Sequence, residues 1–85
     1  MSYQVYIMRC EDGSLYTGIT TDVERRFEEH RSRGPLAAKY TRTHPVVAVE
    51  AVWDAADRSE ASVLEYRIKK MTRSQKLALI AESRV

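Results

Sequence analysis

The sequence predicts a small α/β (α+β) fold in which helices flank a three-stranded, mainly antiparallel sheet, in the order β-β-α-β-α-α. Three observations support this prediction. Strand-forming residues occur in three short runs, an Asp-Gly turn joins the first two runs, and apolar residues recur at helical spacing elsewhere. With 85 residues and no repeat or linker, the chain is expected to form one domain over residues 1–85.

The three runs of β-forming residues define the sheet. Residues 3–9 and 15–20 flank the turn signal Asp12-Gly13, so they are predicted to pair as a hairpin. Residues 46–53 are predicted to form the third strand, and their apolar, β-branched composition favours a central or well-covered place in the sheet.

A capping signal opens the first predicted helix. Thr21 is followed three residues later by Glu24, the spacing of a capping box, and the helix is predicted to end near Ser32. The next connection, residues 36–45, is basic and is predicted to be irregular.

Two further helices are predicted after the third strand. One opens at Asp57 and ends near Met71, and the other opens at Thr72, which is followed three residues later by Gln75. The apolar stripes predicted to face the sheet are Ala61, Leu64, Ile68 and Met71 in the first of these helices, and Leu77, Ile80 and Ala81 in the second.

Composition limits the classes of function. The single cysteine, Cys10, excludes an internal disulfide and, without a Cys/His cluster nearby, weighs against a structural zinc site. No apolar run approaches the ~20 residues of a membrane span, and the N-terminus lacks a signal-peptide pattern. We therefore expect a cytoplasmic protein with no membrane partner.

Charge permits a nucleic-acid partner without requiring one, because the net charge is only +2. Basic residues nevertheless concentrate near the loop after the first helix and in the last third of the chain. On charge alone, solvated helix faces remain the commoner explanation of such clusters. The candidate nucleic-acid-binding residues are Arg31, Arg33, Lys39, Arg42, Lys69 and Lys70.

Periodicity identifies two polar candidates on the first helix. Val23, Phe27 and His30 form its apolar stripe, and Arg26 lies at the margin of that stripe. Arg26 could therefore aim a fixed cation into a cleft, although a snorkelling surface arginine is the commoner case. For His30, a place at the edge of the core is likewise commoner than a catalytic role.

A glutamate and two tyrosines complete the candidate set. Glu65 lies at the margin of a later helix, where it could bind Mg²⁺ or form an exposed pair with Lys69. Tyr6 and Tyr16 stand on paired strands, and Gly18 within the second strand suggests close approach by another group.

These residues resemble the motifs of the GIY-YIG nuclease family. Gln4-Val5-Tyr6 and Tyr16-Thr17-Gly18 stand where the family has its two tripeptides, with Gln4 in place of a glycine and Thr17 in place of a hydrophobic residue. The family's later arginine, histidine and metal-binding glutamate match Arg26, His30 and Glu65. The chain is most similar to small, stand-alone bacterial members that carry the stretches present here as residues 12–20 and 39–42.

The resemblance implies a metal-dependent endonuclease that hydrolyses phosphodiester bonds. Glu65 would hold Mg²⁺ or Mn²⁺, and Arg26 would stabilise the transition state. Tyr6, with Tyr16 as its partner, would accept a proton from the attacking water, and His30 would help to relay it. A phenol with an ordinary pKa near 10 would do this at pH 7.5 at a cost of roughly 3–4 kcal/mol.

The resemblance also bears on partners. DNA is favoured over RNA, in a structured, branched or damaged form, with DNA repair or recombination as the expected setting. A homodimer or a protein partner stays open. The alternative function is a non-catalytic nucleic-acid-binding module or adaptor on the same fold.

The hairpin must satisfy one geometric condition for the two tyrosines to share a site. If Glu11 paired with Ser14 across a two-residue turn, Tyr6 would lie opposite Ile19 and Tyr16 would face the other way. The hypothesis therefore predicts a turn with an odd number of residues, or a bulge near Asp12.

Overall fold

The predicted fold class is confirmed by a computed structural model, which describes residues 2–84. The elements are β1 (Tyr3–Cys10), β2 (Leu15–Thr20), α1 (Val23–Ser32), α2 (Lys39–Thr43), β3 (Val46–Ala55), α3 (Arg58–Lys69) and α4 (Arg73–Ser83). The order matches the prediction except for α2, a short helix in the connection that was predicted to be irregular. No helix within residues 2–84 is long and apolar enough to cross a membrane.

The short helix α2 had no recognisable start signal in the sequence. Its N-cap residue, Ala38, makes no side-chain hydrogen bond to the helix. A helix of this length is not stable alone in water, so tertiary contacts must hold it. One of those contacts is the completely buried side chain of Thr41.

The sheet has the strand order β2-β1-β3, and both pairings are antiparallel. The prediction of a central or well-covered β3 was wrong, because β3 is an edge strand with Val47 and Val49 exposed. β1 is central because it pairs with β2 through the hairpin and with β3 along its other side. A β-branched composition is typical of any pleated, partly buried strand, so it does not show whether the strand is central or at an edge of the sheet.

The hairpin between β1 and β2 has the odd turn that the shared tyrosine site requires. The Cys10 N–H donates to the Ser14 carbonyl at 2.8 Å, so residues 11–13 form the turn, with Gly13 at φ 87°. Tyr6 therefore pairs with Gly18, and Met8 pairs with Tyr16. Alternate residues of β1 share a face, so Tyr6 and Tyr16 project from the same side of the sheet.

The two faces of the sheet have different partners. α3 and α4 cover one face, which we call the apolar face; its core is Val5, Ile7, Ala51, Ala55, Ala61, Ile68 and Ile80. α1 covers the other face, which we call the tyrosine face; its core is Tyr6, Met8, Cys10 and Val46, with Tyr16, Val23 and Phe27 packed against it.

The start of α1 differs from the prediction by one residue. Its N-cap is Asp22, not Thr21, and the Asp22 carboxylate accepts a hydrogen bond from the Arg25 N–H. The Gln4 side chain accepts another from the Val23 N–H at 3.0 Å. The residue that replaces the motif glycine thus satisfies an otherwise free N–H at the start of α1. The other predicted caps, Asp57 and Thr72, are confirmed.

The predicted core stripe of α4 was out of phase by about one residue. Ile80 is buried as expected, but Leu77 is 45% exposed and Ala81 is exposed, whereas Leu79 packs on the apolar face. Residues 77–81 are all apolar, so their periodicity does not select one helical face.

Candidate active site

A buried chain of polar groups lies on the tyrosine face. The Tyr6 hydroxyl is 2.9 Å from His30 Nε2, and His30 Nδ1 is 2.8 Å from Thr41 Oγ1. The three residues come from β1, α1 and α2, and all three are buried. A phenol, an imidazole and a hydroxyl are thus joined in one line out of contact with bulk water.

Tyr16 lies beside this chain and is only half-buried. Its ring centroid is 6.3 Å from that of Tyr6 and 5.2 Å from that of His30. On its other side Tyr16 stacks on Tyr40, whose ring in turn stacks on His44. Tyr16 is therefore the tyrosine of the pair that links the buried chain to the surface.

A glycine is needed at position 18 because the ring of Tyr6 lies directly over it. A Cβ added at Gly18 would lie 2.6 Å from Tyr6 Cζ and would also clash with the hydroxyl oxygen. The close approach that the sequence suggested is therefore made by the opposite strand. Without a side chain at Gly18, the phenol can lie flat against β2 and reach His30.

Arg26 lies at the margin of α1, as predicted, and its guanidinium is fixed by two acceptors. Nη1 donates to Glu29 Oε1 at 2.9 Å and to the Leu36 carbonyl at 2.5 Å. The same guanidinium lies close enough to Tyr6 to lower its pKa through a hydrogen bond and through charge. Arg26 thus places a cation next to the phenol.

Burial nevertheless dominates the protonation of this cluster. Desolvation, followed by the charge of Tyr16, raises the pKa of Tyr6 to about 12 against the influence of Arg26. Desolvation, followed by the charge of Arg26, lowers the pKa of His30 to about 4. Near pH 7, Tyr6 is therefore a neutral phenol and His30 a neutral imidazole.

Glu65 is the carboxylate that the family resemblance selects as the metal ligand. It projects from α3 with 22% of its side chain exposed and pairs with Lys69 at 3.3 Å. Its charge also raises the pKa of Tyr6, as the smallest of the contributing effects. Residues 2–84 hold no group of three or more His, Cys, Asp or Glu side chains that could bind a metal ion.

A single, partly exposed carboxylate that already attracts a cation suits Mg²⁺ or Mn²⁺. Mg²⁺ keeps several waters and commonly uses one or two carboxylates together with substrate phosphates. Ions that require a closed set of protein ligands, such as structural Zn²⁺, would not fit this donor set.

Comparison with known proteins places these residues in a family. Residues 2–78 match the family described as the GIY-YIG catalytic domain. The chain belongs to the GIY-YIG family. Tyr6, Tyr16, Arg26, His30 and Glu65, at the positions that the resemblance selected, all fall inside the matched residues.

Several GIY-YIG relatives resemble the chain over most of its length. The UPF0213 protein FN1575 of Fusobacterium nucleatum is 45% identical over 82 residues, which are 96% of this chain and 80% of that protein. A UPF0213 protein of Halobacterium salinarum is 46% identical over 77 residues, 91% of this chain and 97% of that protein. The relatives thus include an archaeal protein as well as bacterial ones.

A solved structure supports the same relationship. The solution NMR structure of the UPF0213 protein BH0048 from Bacillus halodurans is 42% identical to this chain. It superposes with a TM-score of 0.55 and covers 95% of this chain and 84% of that one.

Two of the predicted nucleic-acid-binding arginines hold the loop of the GIY-YIG domain together. Arg33 Nε donates to the Arg42 carbonyl at 3.0 Å, and Arg42 Nη2 donates to the Pro35 carbonyl at 3.1 Å. Both side chains therefore shape residues 33–42. Their residues remain exposed, so their charges still reach solvent.

The other four predicted basic residues are exposed, with Lys69 and Lys70 together at the end of α3 and the other two on α1 and α2. Arg31 pairs with Glu28 along α1, Lys69 pairs with Glu65, and Lys70 lies 4.7 Å from the centre of the Tyr66 ring. Lys39 is exposed at the start of α2.

Sequence reasoning missed Thr41 and Ala38 as parts of the site. Thr41 bonds His30, and the Ala38 N–H points at the same imidazole nitrogen at 3.3 Å. The only available signal was the family-like stretch at residues 39–42, which includes Thr41. Periodicity could not reveal it, because the connection showed no helical pattern.

Proposed function

We propose that this protein is a metal-dependent endonuclease that hydrolyses phosphodiester bonds in DNA, in structured, branched or damaged substrates met in DNA repair or recombination. The observation that carries the proposal is the pair of buried residues Tyr6 and His30, with the partly exposed Arg26 and the half-buried Tyr16 beside them. Within the GIY-YIG family, this cluster provides a proton acceptor and a fixed cation at one place.

The proposed roles follow from the chemistry of each side chain. Glu65 would hold Mg²⁺ or Mn²⁺, which when bound supplies Lewis-acid polarisation of the phosphate and lowers the pKa of nearby phenols. Arg26 stabilises the negative charge that develops on the phosphate in the transition state. The tyrosine pair accepts the proton of the attacking water, with Tyr6 as the acceptor and Tyr16 as its partner nearer the surface.

The buried environment of Tyr6 raises the free energy of forming its phenolate in the protein without substrate. With a pKa of about 12, the Tyr6 phenolate costs roughly 6 kcal/mol at pH 7.5. The cost exceeds that of an ordinary tyrosine because the ring is desolvated. The proposal therefore requires that the positive charge of the assembled site lower the Tyr6 pKa, as Arg26 already does in part.

The aromatic side chains favour an enzyme over a module that binds nucleic acid by stacking on its bases. The Tyr40 ring stacks on Tyr16 at 5.8 Å and on His44 at 3.9 Å, so it is engaged with other rings of the protein. Lys70 lies over the ring of Tyr66. Free aromatic faces are what base stacking needs.

The proposed setting of the reaction includes a compartment and a nucleic-acid partner. A reducing cytoplasm fits Cys10, which is free and buried. The proposed nucleic-acid partner is DNA rather than RNA.

The deciding experiment compares matched variants on end-labelled flap, branched and single-stranded DNA and on a structured RNA, with Mg²⁺, Mn²⁺ or EDTA. Glu65→Gln removes the charge of the proposed metal ligand and should lower kcat at least ~100-fold. Its control is Glu60→Gln, an exposed carboxylate on the same helix. Tyr6→Phe should also abolish cleavage, whereas the exposed Tyr66→Phe should not.

Two outcomes would contradict the proposal. Cleavage that survives Glu65→Gln would show that the metal site is misassigned or that a contaminant cuts the substrate. Salt-sensitive binding by every variant, with no cleavage in either metal, would instead support the non-catalytic module.

A further inference from the structure

One side of α3 faces away from the sheet, and we call it the outward side. Ala61 and Ile68 are buried in the core of the apolar face, so the residues on the opposite side of the helix face solvent. A shallow concavity of about 750 Å³ lies on the outward side, lined by Arg58, Ser59, Ser62, Val63, Tyr66 and Arg67. A concavity of this size fits a ligand far larger than a single inorganic ion.

Two arginines of this concavity differ from the other arginines of the protein. Every other arginine has a carboxylate or a backbone carbonyl as a partner for its guanidinium. Within residues 2–84, the side chains of Arg58 and Arg67 have neither, and both residues are exposed. Their guanidinium groups therefore keep all their N–H donors and their full charge for a ligand.

The charge of the outward side is positive and is not balanced locally. Within the described residues, no carboxylate lines the concavity. Glu60 and Glu65 lie at the two margins of the outward side, and Glu65 pairs with Lys69. On α1, by contrast, every arginine pairs with a glutamate of the same helix, as is usual for a solvated helix face. The outward side of α3 is therefore complementary to an anionic partner.

The floor of the concavity adds an apolar requirement to the anionic one. Val63 lies in the floor and is 51% exposed, between arginines at the two ends of the concavity. A nucleic-acid strand has the matching composition, because phosphates alternate with sugars along it. Arg58 and Arg67 are nine residues apart, which is about 13.5 Å along the helix axis and close to the rise of four nucleotides of a strand.

We propose that the outward side of α3 binds the sugar–phosphate backbone of one DNA strand, with Arg58 and Arg67 as phosphate ligands and Val63 beneath the sugars. The inference rests on the proposed function, because it takes the occupant to be the substrate of the nuclease. Glu65 follows Arg58 by seven residues on the same helix, about 10 Å along its axis. The phosphates bound here therefore lie within roughly three nucleotides of the scissile phosphate.

Binding can be measured in EDTA, so that cleavage does not interfere. Fluorescence anisotropy of a labelled DNA duplex at several salt concentrations gives Kd for the unmodified protein, for Arg58→Gln, for Arg67→Gln and for the double variant. We expect each single substitution to weaken binding roughly 3- to 10-fold and to lower the slope of log Kd against log salt concentration by about 0.9, the contribution of one phosphate contact.

Arg84→Gln is the matched control for these variants. It removes the same charge from an exposed arginine that is already paired with Glu50. Its Kd should stay within ~2-fold of that of the unmodified protein, since a paired guanidinium contributes little to the field around the protein. If the double variant binds DNA as Arg84→Gln does, the inference is overturned, and the outward side would fit an acidic protein partner instead.

The floor of the concavity has its own test. Val63→Glu places a carboxylate between the two arginines and should weaken DNA binding at least ~10-fold, because it both repels phosphates and pairs with the arginines. Val47→Glu adds the same charge at a valine of the edge strand β3 that is 44% exposed, and it should have a much smaller effect. Circular dichroism first shows that both variants fold. Equal losses of affinity would overturn the inference.

Cleavage assays separate failure of this inference from failure of the proposed function. Arg58 and Arg67 contact the substrate away from the reacting phosphate, so their substitution should raise KM and leave kcat nearly unchanged. A lower kcat with an unchanged KM would overturn the inference. Absence of cleavage by the unmodified protein, together with DNA binding that depends on both arginines, would support the binding surface and count against the proposed function alone.

Discussion

The two faces of the sheet are formed by the same strands, but one is packed by apolar contacts alone and the other contains buried hydrogen-bonded side chains. On the apolar face, Val5 and Ile7 pack against aliphatic side chains of α3 and α4 and need no polar partner. On the tyrosine face, Tyr6 bonds His30, which in turn bonds Thr41. Successive residues of β1 thus alternate between a purely apolar core and a hydrogen-bonded chain.

In this small domain, apolar packing is concentrated on one face of the sheet and the candidate site lies on the other. Apolar burial stabilises without any requirement on direction, so the apolar face tolerates changes that conserve volume. The tyrosine face holds buried polar groups, which are costly unless every one is paired in the right geometry. The stability of the tyrosine face should therefore depend on pH and on the geometry of its hydrogen bonds, whereas that of the apolar face should not.

The largest expected effect is a dependence of stability on pH that originates at His30. Its pKa falls from 6.5 in the unfolded chain to about 4 in the folded protein, so between these values the unfolded state binds more protons. The contribution of His30 to stability should be constant above pH 6.5 and should fall by roughly 3 kcal/mol as the pH drops to 4. The groups that face the ring are Arg26, Glu29, Tyr6, Tyr16 and Thr41.

Chemical denaturation at a series of pH values would measure this dependence. His30→Gln cannot be protonated, so the difference in unfolding free energy between the two proteins isolates the contribution of His30 from that of the carboxylates. The difference should change with pH only between about 4 and 6.5. Parallel curves for the two proteins over that window would mean that folding does not lower the His30 pKa.

The next effect is steric and also concerns the tyrosine face. Gly18→Ala would place a Cβ 2.6 Å from Tyr6 Cζ and so force the ring or the strand to move. We expect a loss of stability of about 2 kcal/mol, together with weaker cleavage because the phenol is displaced. Gly34→Ala is the matched control, since its nearest neighbour, Ser32 Oγ, would be 3.6 Å away. Thermal unfolding of both variants compares them, and equal stabilities would disprove the steric role of Gly18.

The fold could be predicted because the hairpin and the helix starts are determined by residues close together in the sequence. The Asp12-Gly13 turn defined the hairpin, and the requirement for a shared face predicted its odd length, which the pairing of Tyr6 with Gly18 confirms. Caps at Asp57 and Thr72 marked the last two helices. These are short-range interactions, and they can be recognised from spacing alone.

The features that were missed or predicted wrongly have a different origin. Each of them is determined by tertiary contacts, which spacing along the sequence does not show. α2 has no capping side chain and is held by buried Thr41. β3 lies at an edge because β1 pairs on both sides, which its own composition cannot reveal. The bond from Thr41 to His30 spans 11 residues, and its geometry exists only once α1 and α2 have packed.

The smallest expected effect tests the apolar face, where Thr17 breaks the pattern. Its side chain is buried and, among residues 2–84, its hydroxyl finds no hydrogen-bond partner. A buried hydroxyl without a partner is destabilising, so Thr17→Val, which keeps the shape and removes the hydroxyl, should stabilise the protein by about 1 kcal/mol. Urea denaturation at pH 7 would measure the gain.

Thr20, which is also on β2, provides the matched control. It is buried too, but its hydroxyl accepts from the Asp22 N–H at 3.1 Å and lies 3.3 Å from the Asp22 carbonyl. Thr20→Val should therefore destabilise by about 1 kcal/mol, because it leaves the N–H before α1 without its acceptor. Opposite signs at Thr17 and Thr20 would show that the apolar face favours a purely aliphatic side chain at Thr17. A loss of stability at Thr17 would mean that its hydroxyl has a partner, and the contrast between the two faces would then be weaker.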